Sequence, residues 1–305
     1  MELELIRRLR ERLPAHPRLR LGPGDDAAVL EMADVDQCAV TVDLLTDHVD
    51  FELSEVGPRR VGHKALAVNL SDLAAMAAEP LAGVIAVVLP RQGAAELAVA
   101  LYEGILPLAE RYQLALAGGD TNTWDGPLAI SVTLLGRVTA RGPLRRSGAR
   151  PGDRLLATGS FGGSILGRHL DFEPRVREAL KLHAQYALHA GIDVSDGLSL
   201  DLSRVLEESR CGATIWADAV PVSDDARRLA ERKNDGSTAL DHALGDGEDF
   251  ELLLAVPPGD AERMLADQPL AGVRLSELGE FTAEPGLWIR DHEGRRPLEP
   301  RGWEH

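Results

Sequence analysis

Acidic residues gather beside glycine or small polar residues at the ends of apolar runs. They do so in Gly24-Asp25-Asp26, Thr41-Val42-Asp43, Asn69-Leu70-Ser71-Asp72, Gly118-Gly119-Asp120, Asp193-Val194-Ser195-Asp196-Gly197 and Gly245-Asp246-Gly247-Glu248-Asp249. Loops at strand ends are where a rigid scaffold presents reactive groups. Carboxylates placed there are hard oxygen ligands of the kind Mg²⁺ takes, together with water and substrate phosphates. Two carboxylates about 4 Å apart repel by about 4 kcal/mol at an effective dielectric of about 20, so several converging loops would require cations among them.

Each carboxylate taken singly has a second role open to it. Ser71 or Asp72 could cap a helix beginning at Leu73, and Asp196 could cap the helix after it. Asp249 and Glu251 flank the apolar Phe250 and are expected to face solvent. The loop Gly159-Ser160-Phe161-Gly162-Gly163 is either a backbone cradle for phosphate or a tight strand-to-helix turn. The metal-binding reading comes from the set of carboxylates, not from one member.

Other chemistries are disfavoured. Gly22-Pro23-Gly24-Asp25-Asp26-Ala27 satisfies a loose dinucleotide fingerprint, but two carboxylates stand where a pyrophosphate must approach and no helical run follows. The phosphate loop GxxxxGK[ST] and the protein-kinase catalytic motifs are missing. The nine histidines form no HExxH and have no carboxylate at catalytic spacing, which argues against a histidine triad or a zinc site. Cys38 and Cys211 are far apart and lack a basic neighbour in sequence, so neither a nucleophile nor a disulfide is expected. That usage fits a reducing cytoplasm.

The elements that must position these groups fall into two halves. In the first, the patterning predicts an amphipathic helix over Glu2–Leu13, strands over Ala27–Leu30 and Cys38–Leu45, and a helix over Val61–Ala78. A buried strand Leu81–Leu89 and a helix Ala94–Tyr112 follow. Strands Leu114–Ala117 and Leu128–Gly136 then flank a loop carrying Gly118, Gly119 and Asp120. Between 140 and 153, Arg141, Arg145, Arg146 and Arg150 interleave with glycine and proline, as in a connection between domains. Beyond it the strand–glycine loop–helix pattern occurs at Arg154–Gly163 and again from Gly191 through Gly197. A helix Asp225–Lys233, a strand Phe250–Val256 and a last strand near Leu287–Arg290 complete an α/β second half.

Composition bounds the partners. The 305 residues carry 33 Lys+Arg against 49 Asp+Glu, a formal charge of −16, and 44% are hydrophobic. That is globular composition, with length for about two domains. The acidic balance disfavours nucleic acid and anionic membrane surfaces, which are bound through lysine and arginine. The longest apolar stretch, Leu81–Leu89, is half what a bilayer span needs.

The motifs together resemble a known family. Gly22 through Val29, Lys64 through Met76, Gly118-Gly119-Asp120-Thr121, Arg146 through Asp153, Ile192 through Leu198 and Gly247 through Leu252 are similar, in order and over nearly the whole chain, to the thiamine-monophosphate kinases. These belong with aminoimidazole ribonucleotide synthetase, selenophosphate synthetase and a hydrogenase-maturation dehydratase. Neither the C-terminal cysteine typical of the last nor the N-terminal-loop cysteine of selenophosphate synthetase is present. The resemblance implies a two-domain α/β (α+β) fold, with an N-terminal ATP/Mg²⁺-binding and dimerisation domain at 1–140 and a C-terminal domain at 141–305. It implies phosphorylation of thiamine monophosphate by ATP in a homodimer. Asp26, Asp43, Asp72, Asp120, Asp193 and Asp196 match its Mg²⁺ ligands, with Thr41 and Val42 adding oxygens. Asp72, Asp120 and Asp196 are accordingly the expected catalytic carboxylates. Gly119, Asp120, Arg146, Ser195 and Tyr112 match nucleotide positions; Asp50, Glu248 and Trp303 match positions on the thiamine side.

The chain departs from the family pattern in places. Asp50 stands where histidine often precedes phenylalanine, Ala77 and Asp246 replace glycines, and the segment between Gly163 and Gly191 is short. Two other functions stay open on sequence alone: a related ATP-dependent synthetase or cyclase acting on a purine-pathway amide, and a catalytically quiet nucleotide-binding protein.

Overall fold

The computed structural model describes residues 12–21, 28–233 and 235–303. The expected helix Glu2–Leu13 falls almost wholly outside them, as do the fingerprint-like loop at 22–27 and, with it, Asp26. The chain divides into two compact units, the first running to Leu73 and from Ala78 to Thr139, the second holding Ala74–Ala77 and everything from Ala140.

In the first unit β1 (Leu19–Leu21) pairs with β2 (Val29–Leu30) as a two-stranded ribbon. Next come β3 (Cys38–Thr46), α1 (Leu53–Val56), α2 (Pro58–Ala75), β4 (Ala78–Pro90), α3 (Ala94–Arg111), β5 (Ala115–Trp124) and β6 (Ala129–Val138). The larger sheet has the order β3-β6-β4-β5, antiparallel except for β4 and β5. Strict alternation in β3 sends Thr41, Asp43 and Leu45 to one face, while Val40, Val42 and Leu44 stand 64, 61 and 64% exposed on the other. Helix α2 covers the inner face, where Leu73 lies within van der Waals reach of Gly136 on β6.

Two expectations are corrected here. Gly118-Gly119-Asp120 is not a loop between strands: β5 continues through it, with a bulge that sets Val84 opposite Gly118. Glycine is needed there for a close approach, because a Cβ on Gly119 would meet the Ile85 carbonyl oxygen at 1.8 Å. The other correction is Ala77. Helix α2 stops at Ala75, and Ala77 lies beyond it in a left-handed turn with φ 49, a conformation that favours glycine.

The second unit is built on a seven-stranded sheet. Its elements are β7 (Arg154–Thr158), α4 (Arg168–Asp171), α5 (Val176–Gln185), β8 (Ala190–Asp193), α6 (Leu198–Ser209), β9 (Gly212–Trp216), α7 (Asp224–Lys233) and α8 (Ala239–Gly245). β10 (Leu252–Val256), α9 (Pro258–Asp267), β11 (Leu275–Thr282), β12 (Gly286–Asp291) and β13 (Gly294–Pro297) close it. The order is β13-β12-β9-β11-β7-β10-β8, with only β9 and β12 parallel. β10 lies between β7 and β8 and all five of its residues are buried, which explains its unbroken apolar run. The mixed helix-and-strand class is as the patterning predicts. β9 and β11, which the patterning did not pick out, join the two halves of this sheet.

Candidate active site

In the first unit, β3 and α2 bring three of the expected ligands together. Asp72 lies inside α2, on the side facing β3, and its Oδ2 accepts a short hydrogen bond from the Thr41 hydroxyl. It caps no helix at Leu73, so that alternative falls away. Asp43 projects from the same face of β3 as Thr41 and meets Asp72. Burial, then the adjacent Asp72 charge, push the Asp43 carboxyl up to about 7, with Asp50 adding to the effect. Its Oδ2 is buried and makes no hydrogen bond. Two crowded carboxyls, one of them with an orphaned buried oxygen, and a hydroxyl are a donor set that a hard divalent cation would satisfy.

Other expected residues of this unit lie elsewhere. The pairing rows run from Asp43 through Val132 and Ile85 to Gly119, so Gly119 sits three strand spacings away, about 14 Å along the sheet. Asp120 is exposed and paired with Ala86, one residue out of the Asp43 row, so it does not join the Asp43–Asp72 pair. Val42 turns its side chain to the opposite face from Asp43. Tyr112 ends α3 and is buried.

Asp50 is held as part of a turn. Its Oδ2 accepts the Thr46 N–H at 2.7 Å, and its carbonyl oxygen accepts from Lys64 Nζ at 2.7 Å. His48, with φ 74, is engaged by Glu52 at 2.8 Å. Lys64 is buried in α2, and sequence reasoning gave it no role. The available signal was a lysine among Val61, Ala65 and Leu66 on a helix otherwise apolar at those positions.

The second unit assembles another group around residues 193–197. Asp193 ends β8 and is buried. Asp196 does not cap α6: its carboxylate pairs with Arg204 at 2.6 Å. The capping falls to Asp201, whose Oδ2 accepts the Asp196 and Gly197 N–H groups at 2.9 and 3.0 Å. Arg204 also holds Asp201, at 2.6 Å, so one arginine fixes both carboxylates. Ser195 and Asp196 then receive two neighbours through the backbone. The Ser195 carbonyl accepts from Glu248 N–H at 2.6 Å, and that of Asp196 from Trp303 N–H at 2.9 Å. Gly247 has no room for a side chain, since a Cβ would come within 2.8 Å of the Asp196 carbonyl oxygen. Thus Ser195, Asp196, Glu248 and Trp303 are neighbours, with the Trp303 side chain 58% exposed. Arg146 is exposed on the connection preceding β7.

The glycine loop turns out to be a structural turn. Gly162 N–H donates to both oxygens of Asp249, at 3.0 and 2.9 Å, and Gly163 N–H donates to Asp246 at 2.9 Å. Donors already facing carboxylates do not cradle a phosphate. This also corrects the expectation for Asp249 and Glu251, which are buried, not solvent-facing. Arg168 pairs with Asp249 at 2.5 Å and Arg175 with Glu251 at 2.6 Å.

Comparison with known proteins decides the family. Residues 24–138 match the model of the AIR synthase related protein N-terminal domain, and 150–292 that of its C-terminal domain. The thiamine-monophosphate kinase of Rhodopirellula baltica is 44% identical over 298 residues, covering 95% of this chain and 92% of that protein. The chain belongs to the thiamine-monophosphate kinases, within the AIR synthase related proteins. The crystal structure of the thiamine-monophosphate kinase from Stenotrophomonas maltophilia superposes with a TM-score of 0.80 at 34% identity, covering 93% of this chain and 95% of that one. A further kinase of this family, AaThiL, solved with AMPPCP and TMP, superposes at 0.73 with 27% identity, covering 99% and 95%. The Ser195–Asp196, Glu248 and Trp303 neighbourhood and the Asp43–Asp72 pair are therefore features of a thiamine-monophosphate kinase chain.

Proposed function

We propose that the chain transfers the γ-phosphoryl group of ATP to thiamine monophosphate, giving ADP and thiamine diphosphate. The observation that carries this is the Thr41–Asp43–Asp72 cluster with its unpartnered buried oxygen. The AaThiL complex with an ATP analogue and TMP supports the choice of both substrates. The acceptor is a phosphate monoester oxygen, largely ionised near neutral pH because its second pKa is about 6, so no strong base is required. The obstacle is repulsion between two phosphate groups. Bound Mg²⁺ would supply charge neutralisation between them, and direct in-line transfer is the step that remains.

The residues of this chain divide that work. Asp43, Asp72 and Thr41 would hold one cation, and Asp26, Asp120, Asp193, Asp196 and the Val42 backbone are each proposed as ligands to further cations. Gly119, Arg146, Ser195 and Tyr112 serve the nucleotide. Glu248 and Trp303, neighbours through Asp196 and Ser195, serve the thiamine side, the exposed indole offering a face for an aromatic heterocycle. Asp50 fixes the turn that Lys64 anchors.

The domain boundary near 140, a homodimer and a cytoplasmic location belong to the same proposal. The unpaired thiols of Cys38 and Cys211 support the last, and the exposed β3 face supports the dimer. Among the described residues, no helix is long and apolar enough to cross a membrane.

Incubation with ATP, Mg²⁺ and thiamine monophosphate, followed by chromatography of the thiochrome derivative, should yield thiamine diphosphate. Absence of product at saturating substrate would sink the proposal. Turnover with formylglycinamidine ribonucleotide instead would favour the cyclase, and ATP binding without reaction the quiet binding protein.

A further inference from the structure

Three side chains of the short segment after Gly163 meet three consecutive residues of the loop that carries Glu248. Arg168 Nη2 donates to Asp249 Oδ1 at 2.5 Å. The Phe172 ring stacks on Phe250, with centroids 4.0 Å apart and planes 11° from parallel. Arg175 grips Glu251 through Nε and Nη2, at 2.7 and 2.6 Å. The contacts keep the same order along both segments: an ion pair, an aromatic stack, an ion pair. Both carboxylates are buried, and each has a second anchor on another strand or loop: Gly162 N–H for Asp249 and the Thr158 hydroxyl, at 2.6 Å, for Glu251.

The loop so gripped has an uncommon backbone. Gly247, Glu248 and Phe250 all have positive φ, at 74, 53 and 51. Two of these carry side chains that disfavour the left-handed region, so neighbouring contacts must hold them there. The hydrogen bonds from Glu248 N–H to Ser195 and from Phe250 N–H to Val194 depend on that path. A loop relaxed to ordinary φ values would carry Glu248 away from Ser195.

We infer that Arg168, Phe172 and Arg175 form a three-rung strap that holds the left-handed Glu248–Phe250 turn, and that they are positioning residues for the thiamine side of the substrate. This rests on the proposed role of Glu248. The strap predicts a larger defect toward thiamine monophosphate than toward ATP, because the turn contains Glu248 itself, whereas it meets the nucleotide-side Ser195 through that residue's backbone carbonyl.

The test uses the full chain with Arg168→Met, Arg168→Lys and the charge-neutral pair Arg168→Met/Asp249→Asn. Losing a charge-assisted hydrogen bond to a buried group should raise KM for thiamine monophosphate about tenfold or more in Arg168→Met, with KM for ATP moving less than about twofold. Lysine, which keeps the charge, should recover most of that loss. Amide exchange of the ligand-free protein should accelerate about tenfold in the peptide 245–251 while β10 keeps its protection. If Arg168→Met unfolds because Asp249 is left unpaired, the double variant restores folding and carries the same measurements. Equal rises in both KM values, or unchanged exchange at 245–251 in a folded variant, would overturn the strap. A wild type that makes no thiamine diphosphate would overturn the kinase reading, and the exchange of 245–251 would still decide the strap.

Discussion

At the scale of single residues, the Thr41 hydroxyl and the Asp43 carboxyl both meet Asp72 on the side of α2 that faces β3. A carboxylate beside glycine is compatible with a helix cap or a ligand, and only its surroundings distinguish the two. Asp72 lies inside α2 against Thr41 and Asp43, whereas capping of α6 falls to Asp201, a residue that drew no attention in the sequence. Asp72→Asn should reduce thiamine diphosphate formation at least about a hundredfold with an unchanged circular dichroism spectrum, because it removes a charge directed at phosphate transfer and not a cap. Near-wild-type turnover would assign Asp72 a purely structural role. Ala77 gives a second prediction. With φ 49 it occupies a conformation costing a side-chain-bearing residue about 1–2 kcal/mol, so Ala77→Gly should stabilise the protein by about 1 kcal/mol in urea unfolding. The glycine substitution was visible in sequence. Its consequence was not, because the helix was expected to run on to Ala78.

At the scale of elements, local pattern worked where local contacts decide the conformation. Helices 94–112 and 225–233 were legible to within a residue or two, since an apolar stripe defines them. The Asp249-Phe250-Glu251 triplet misled for the opposite reason. It alternates polar and apolar like a half-exposed strand, but its arginine partners lie 81 and 76 residues away, and the left-handed turn undoes the alternation. Asp249 also makes stability depend on pH. Burial raises its carboxyl to about 7, against the opposing pull of Arg168 and Gly162 N–H and with Glu251 and Asp246 adding to the rise. Below about pH 7 the folded chain therefore keeps on Asp249 a proton that the unfolded chain releases near pH 4, the contact with Arg168 becoming a full ion pair above that range, and this contribution to stability falls as pH rises from about 4 to 7. The difference in Tm between wild type and Asp249→Asn should accordingly shift against wild type between pH 5 and pH 8. A difference independent of pH would show that Asp249 is ionised throughout.

At the scale of the whole molecule, the class of fold followed from alternating elements, but the sheet orders did not. β9 went unnoticed because Gly212 to Trp216 is five residues long with threonine at its centre, and β11 because Ser276, Glu277, Gly279 and Glu280 interrupt its apolar residues. Strand order is a matter of long-range pairing that no window of sequence contains. The exposed Val40, Val42 and Leu44 form an apolar ridge, extended by Val84, on a chain whose net charge of −16 otherwise favours separation. A second copy is the partner proposed for it. Leu44→Glu should convert a dimer to a monomer in sedimentation, and a monomeric wild type at micromolar concentration would refute that assignment.

The tie between Trp303 N–H and the Asp196 carbonyl has a practical consequence for anyone handling the protein. A tag fused close behind Trp303 would emerge beside an indole that the proposal places on the substrate. Tagged and untagged preparations should then differ in their response to thiamine monophosphate.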